Sequence, residues 1–278
     1  MITKTPHIID GRHERPILMD LHQPKNPNGH LVIFSHGYKG FKDWGFWDHV
    51  ARKFADKGFQ FLKFNFSHNG GTIEQPVDFP DLEAFALNNF TKEMDDLQTV
   101  IDWSTNDGSK KGVVNFDQIH LIGHSRGGGI VTLKSAEEPR INSVTSWAGV
   151  SDFKARFADA KTREYWKAKG VIHIENTRTK QQLPHYYQFY EDFIANEDRF
   201  TIKRAAQALE IPHLIVHGTQ DPTVDQKEAQ ALKSWNPKAQ LEIIEGADHV
   251  FGGGHPWAQQ NLPPHMERVV QATLNFLS

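Results

Sequence analysis

The chain has 278 residues, enough for one large or two ordinary domains and enough to bury about three quarters of its unfolded surface without covalent staples. It has no cysteine, which excludes disulfides, a thiol nucleophile and cysteine metal sites together. Its 31 basic and 34 acidic residues leave a net charge of −3, so it lacks the basic footprint of nucleic-acid binding, and no stretch nears the roughly 18 apolar residues of a membrane span.

The first ten residues hold no apolar core of signal-peptide length, so a cytoplasmic protein with a small-molecule partner is expected. His7-Ile8-Ile9 and the run 15–21 read as two opening strands around a turn at Asp10-Gly11, and 24–29 is a turn-rich connection. Leu31-Val32-Ile33-Phe34 is a continuous apolar run, as expected of a strand buried on both faces. It ends in Ser35-His36-Gly37-Tyr38-Lys39-Gly40. Trp47, Val50 and Phe54 recur at helical spacing over 47–57, and Gly58 supplies a stop. Residues 59–66 form the next strand, followed by the loop Ser67-His68-Asn69-Gly70-Gly71 and an acidic, proline-broken connection over 72–90. A helix begins at Thr91 and carries Met94, Leu97, Val100, Ile101 and Ser104 along one stripe.

The run 113–124 supplies a central strand, 127–136 the helix behind it, and 143–149 another strand. The pattern changes over 153–200, which is charged, helix-prone and aromatic, with Val171-Ile172-His173-Ile174 as its one strand candidate. A strand at 213–216, a helix at 224–234, a strand at 240–244 and a helix at 264–277 restore the rhythm. Alternation of this kind predicts one α/β domain over 1–278, with a mostly parallel central sheet, helices on both faces and a helical cap insertion at about 153–200.

Gly123-His124-Ser125-Arg126-Gly127 joins the central strand to its helix and reads G-x-S-x-G, the pattern of a nucleophile elbow. Among 21 glycines the same pattern also fits a plain glycine-rich turn, so partners decide. A serine hydroxyl is a poor nucleophile at neutral pH and needs a base, which in turn needs an orienting group. Asp221, in His217-Gly218-Thr219-Gln220-Asp221-Pro222-Thr223-Val224, follows the strand at 213–216. His249, in Gly246-Ala247-Asp248-His249, follows the strand at 240–244. Of 16 histidines it alone combines a strand-end location with a place after Ser125 and Asp221; His255 and Asp225 are the nearest substitutes. Two backbone amides would hold an oxyanion: that of Arg126 at a helix start, and that of Tyr38 after the first buried strand.

These four segments, carrying Tyr38, Ser125, Asp221 and His249, resemble those of bacterial α/β-hydrolases of the serine esterase and dienelactone hydrolase type, over nearly the whole chain. Where dienelactone hydrolases proper carry a cysteine nucleophile, this chain has Ser125. The resemblance implies an α/β-hydrolase fold and a cap that shapes an acyl- or aryl-binding pocket. The expected activity is hydrolysis of a small-molecule carboxylic ester through an acyl-enzyme, with no cofactor. A thioesterase, an amidase or peptidase and a C–C bond hydrolase would use the same three residues, whereas a non-catalytic binding protein on this fold usually shows a broken set. No histidine pair has H-E-x-x-H spacing, so no metal is expected, and Gly127-Gly128-Gly129 lacks the ending of a phosphate loop. His68-Asn69-Gly70 is expected to line the site. Arg126, Lys39 and Lys42 near its mouth would favour a substrate carrying a carboxylate, and the oligomeric state is left open.

Overall fold

In the computed structural model, which describes residues 1–278, the apolar runs assemble into an eight-stranded sheet. β1 (Ile2–Asp10) and β2 (Pro16–Pro24) form the opening hairpin and β3 (His30–Ser35) is the first strand of the parallel part of the sheet. α1 (Trp47–Asp56), β4 (Gln60–Phe64), α2 (Leu82–Leu87) and α3 (Phe90–Trp103) follow. β5 (Gln118–His124), α4 (Arg126–Glu137) and β6 (Ile141–Trp147) bring the chain past the middle of the sheet. It then makes an excursion through α5 (Ala160–Lys169), β7 (Val171–Glu175), β8 (Gln182–Tyr186), α6 (Gln188–Ala195) and α7 (Ile202–Ala208). It returns as β9 (His213–Gly218), α8 (Gln226–Trp235), β10 (Gln240–Ile244) and α9 (Pro264–Leu277).

The strand order is β1-β2-β4-β3-β5-β6-β9-β10, and every pairing from β4 onward is parallel. Parallel strands point their C-terminal ends to one edge, so the loops leaving β3, β5, β9 and β10 share it. Alternation along each strand divides the core. Leu31 and Ile33 of β3 face α3, α4, α7 and α8, while Val32 and Phe34 face α1 and α9. A sheet covered on both faces explains why its strands read as unbroken apolar runs.

Four elements depart from the sequence expectation. The connection at 72–90 contains α2, a six-residue helix started by Asp81, whose side chain accepts from the Ala84 amide; it is too short for a periodic signal. Val171–Glu175 is not a central strand. It pairs antiparallel with β8 in a separate two-stranded sheet, so the excursion holds a hairpin as well as helices. β8 contains Pro184 and no apolar run, and only Leu183 and His185 of it are buried. α7 arises from 202–208, to which the periodicity assigned nothing.

One buried carboxyl makes stability depend on pH. Asp96 on α3 is fully buried, with Oδ2 accepting the Ser67 amide at 2.7 Å and Oδ1 unpartnered. Burial pushes its pKa up to about 7. The folded chain therefore keeps a proton on Asp96 that the unfolded chain releases near pH 4, and the stability this contributes at low pH is lost as pH rises from about 4 to 7. Urea unfolding at pH 5 and pH 8 is expected to show a drop in the native protein that shrinks by about 2 to 3 kcal/mol in Asp96→Asn. Equal drops in the two proteins would assign the dependence to other groups.

Candidate active site

At the end of β5 the backbone must stop extending and begin a helix within one residue. Ser125 does this at φ 57° and ψ −120°, a left-handed conformation in which a side-chain-bearing residue is strained. Hydrogen bonds to flanking backbone hold it: its N–H donates to Trp147 O at 2.9 Å, and its carbonyl accepts from Gly128 at 3.0 Å and Val150 at 3.1 Å. Glycine is demanded around it by space. A Cβ on Gly123 would meet the Gly127 carbonyl, and one on Gly127 would meet the carbonyls of Ser35 and His36.

The fold brings Ser125, His249 and Asp221 together. His249 Nε2 lies 3.0 Å from Ser125 Oγ, and His249 Nδ1 lies 2.7 Å from Asp221 Oδ2. A carboxylate only accepts, so Nδ1–H is the donor and Nε2 is left to accept from the serine hydroxyl. The other oxygen of Asp221 accepts the amides of Thr223 at 2.8 Å and Val224 at 2.9 Å. Burial alone would raise this carboxyl. Hydrogen bonding from His217, His249 and the Val224 amide outweighs it and holds Asp221 well below the usual carboxylate range.

Three further histidines support the site and escaped the sequence reading. His124 Nε2–H donates to the His249 carbonyl at 2.8 Å, and burial together with the neighbouring His249 pushes its pKa down to about 3. His36 Nδ1–H donates to Gly37 O at 2.9 Å and is lowered by burial to about 4. His217 Nε2–H donates to Val224 O at 2.8 Å and lies 3.4 Å from Asp221 Oδ2. They end β5, follow β3 and lie in β9. The signal available in sequence was a histidine directly after a buried apolar run.

The loop after β3 lies against the serine: a Cβ on Gly37 would fall 2.8 Å from Ser125 Cβ and 3.4 Å from its Oγ. The amides of Tyr38, in this loop, and of Arg126, first residue of α4, donate to no other group of the protein. Such an amide at a helix start has no intrahelical partner and carries the positive end of the helix dipole. Ser125 opens on a cavity of about 430 Å³, within the range of small-molecule sites. Phe90 and Val150 line it from the sheet side, and Phe153, Phe157, Trp166, Ile172, His185 and Phe189 from the excursion.

The remaining candidates lie elsewhere. Asp225 caps α8 through the Lys227 amide, and His255 Nδ1 accepts from the Gly45 amide at 2.8 Å; neither touches Ser125. His68 is buried against Ser67 Oγ and is not in the cavity wall, while Asn69 lines a small crevice beside Glu93. Lys42 is not at the mouth: its ammonium is buried 2.7 Å from Asp20 and 2.6 Å from Asp43, because unpaired charge is not tolerated there. Lys39 donates to the Glu175 carbonyl at 3.0 Å. Arg126 does reach the cavity, yet its guanidinium is paired with Glu93 at 3.2 Å and packed on the ring of Tyr38. Asp20, Asp43 and Asp48 converge as metal ligands would, but Lys63 Nζ sits among them, 3.0 Å from Asp20 and 2.8 Å from Asp48, where a cation would lie.

Comparison with known proteins agrees with the fold. No curated protein matches the sequence. Among solved structures, Est1E from Butyrivibrio proteoclasticus superposes with a TM-score of 0.69 at 18% identity, covering 98% of this chain and 97% of its own. A dienelactone hydrolase from Anabaena variabilis gives 0.65 at 17% identity, covering 99% and 97%. The alpha/beta hydrolase GrgF from Penicillium gives 0.67 at 14% identity, covering 99% and 98%. At these identities the likeness is one of fold. The sequence model of the alpha/beta hydrolase family matches residues 32–270, from β3 into the last helix, and the chain belongs to that family.

Proposed function

We propose that this chain is a serine hydrolase that cleaves carboxylic esters whose acyl group is aromatic or otherwise bulky and apolar. The observation that carries the proposal is the hydrogen-bond chain Ser125–His249–Asp221 opening onto the aromatic cavity. Ser125 Oγ attacks the ester carbonyl while His249 Nε2 takes its proton, and Asp221 holds the imidazole and balances the charge it acquires. The amides of Tyr38 and Arg126 receive the oxyanion. His249 returns the proton to the departing alcohol oxygen. Water, deprotonated by the same nitrogen, then releases the acid from Ser125. The rings of Phe90, Phe153, Phe157, Trp166 and Phe189 favour an aryl-acyl group, because aromatic pairs add to plain area burial. Est1E, of the same fold, has been seen with ferulic acid bound.

A fluorophosphonate is expected to label Ser125 in the folded protein. Ser125→Ala should lose the label and lower aryl-ester turnover by about four orders of magnitude or more. In Asp221→Asn the amide nitrogen would face His249 Nδ1 and favour the wrong tautomer, so kcat should fall by about a thousandfold or more with the fold intact by circular dichroism. Full activity in either variant would defeat the mechanism.

The cavity makes a separate prediction. Phe157→Ala should lower kcat/KM for benzoate and cinnamate esters by roughly tenfold, the worth of one aromatic contact, and leave acetate esters within about twofold. An equal effect on all esters would place the acyl group elsewhere.

A further inference from the structure

The residues whose amides meet at Ser125 are also joined to each other through their side chains. The Arg126 guanidinium lies 4.4 Å from the ring centroid of Tyr38, within cation–π distance, and is anchored behind by Glu93 of α3. At its far end Tyr38 meets the excursion: its hydroxyl is 2.8 Å from His185 Nε2 on β8. The direction of that bond is determined. His185 Nδ1 lies 3.2 Å from the Leu183 carbonyl, which only accepts, so Nδ1 carries the proton and Nε2 receives the Tyr38 hydroxyl. The His185 carbonyl is held in turn by the Trp166 indole N–H of α5 at 2.7 Å. A second tie runs alongside, from Lys39 Nζ to the Glu175 carbonyl of β7. Lys39 itself sits at φ 58°, and Gly40 N–H closes the turn onto Gly37 O at 3.0 Å.

The loop is therefore short and strained, and of the groups that fix it from outside the hairpin supplies the hydrogen-bond partners of the Tyr38 and Lys39 side chains, while Asn69 Nδ2 holds the Gly40 carbonyl at 3.3 Å. We infer that the β7–β8 hairpin positions the oxyanion hole: the Tyr38–His185 hydrogen bond, supported by the Tyr38–Arg126 stack, holds the Tyr38 amide where the tetrahedral oxygen forms. Tyr38 through its hydroxyl, and His185, are positioning residues; neither side chain touches the reacting atoms in this scheme. The excursion thus shapes the acyl cavity and also sets the strength of transition-state binding. This rests on the hydrolase reading above.

The test compares Tyr38→Phe, His185→Leu and His185→Gln with the native protein on p-nitrophenyl benzoate. Two inhibitors are included: an aryl trifluoromethyl ketone, which forms a tetrahedral adduct on serine, and benzoate, which does not. Tyr38→Phe and His185→Leu are each expected to lower kcat by about tenfold to a hundredfold with KM within about threefold. Ketone affinity should fall in parallel and by far more than benzoate affinity, which Tyr38→Phe, keeping the ring, should leave unchanged and His185→Leu, altering one residue of the cavity wall, should change by no more than about threefold. The double variant should lose no more than either single one, and His185→Gln, which retains an acceptor, should recover most of the rate. Native kcat in Tyr38→Phe, or equal weakening of ketone and benzoate, would overturn the inference. If Tyr38→Phe does not fold, His185→Leu alone decides by the same criteria. Failure of the native protein to turn over any ester or take the fluorophosphonate would instead overturn the hydrolase reading on which the inference stands.

Discussion

The turn at Ser125 exists only because several backbones pass through a space with no room for side chains. β5 ends beneath the loop from β3, and α4 starts against the carbonyls of Ser35 and His36, so Gly37, Gly123 and Gly127 each lie where a methyl group would strike a neighbour. The strain of the left-handed serine is held by Trp147 at the end of β6 and Val150 in the turn after it. Those three strands are adjacent at the centre of the sheet, and helices cover both of its faces. The elbow is therefore built from the most constrained part of the core, and the cost of its geometry is spread over close-packed surroundings that cannot relax around it.

The electrostatics of the site follow from who is buried with whom. Asp221 keeps its charge because donors surround it, while His36 and His124 stay neutral because burial disfavours their protonated forms. The guanidinium of Arg126 is matched by Glu93 and covered by rings, so the cavity wall beside the serine is largely apolar. Other buried charges are matched among themselves, in the network of Lys4, Lys42 and Lys63 with Asp20, Asp43 and Asp48. On the mechanism proposed above, charge that develops on a bound carbonyl would meet the Tyr38 and Arg126 amides and a helix start.

What could be read from the sequence was whatever local pattern decides. The buried strands announced themselves as apolar runs, α9 through the stripe from Met266 to Leu277, and Ser125, Asp221 and His249 each by following such a run. β8 gave no signal because it pairs on one side only and interrupts itself with Pro184. Lys42 was misplaced because its partner Asp20 lies 22 residues away, and nothing local shows that the two meet in the interior. The same limit hid the contact between Tyr38 and His185, separated by 147 positions. His36, His124 and His217 were present at recognisable places, but among 16 histidines nothing local shows which carbonyl each meets: Gly37 and Val224 in the loops that follow directly, and His249 from 125 positions away.

The chain departs on its excursion from the end of β6 and comes back at the start of β9, and these two strands are neighbours in the sheet. None of Ser125, Asp221 and His249 lies within that detour. A change in the length or sequence of this module would therefore reshape the cavity wall while leaving the sheet that carries the serine as it is. Among the ties that travel with the module, two reach the loop after β3, at residues 38 and 39, so under the inference drawn above a transplanted lid must bring its own acceptor for the tyrosine hydroxyl.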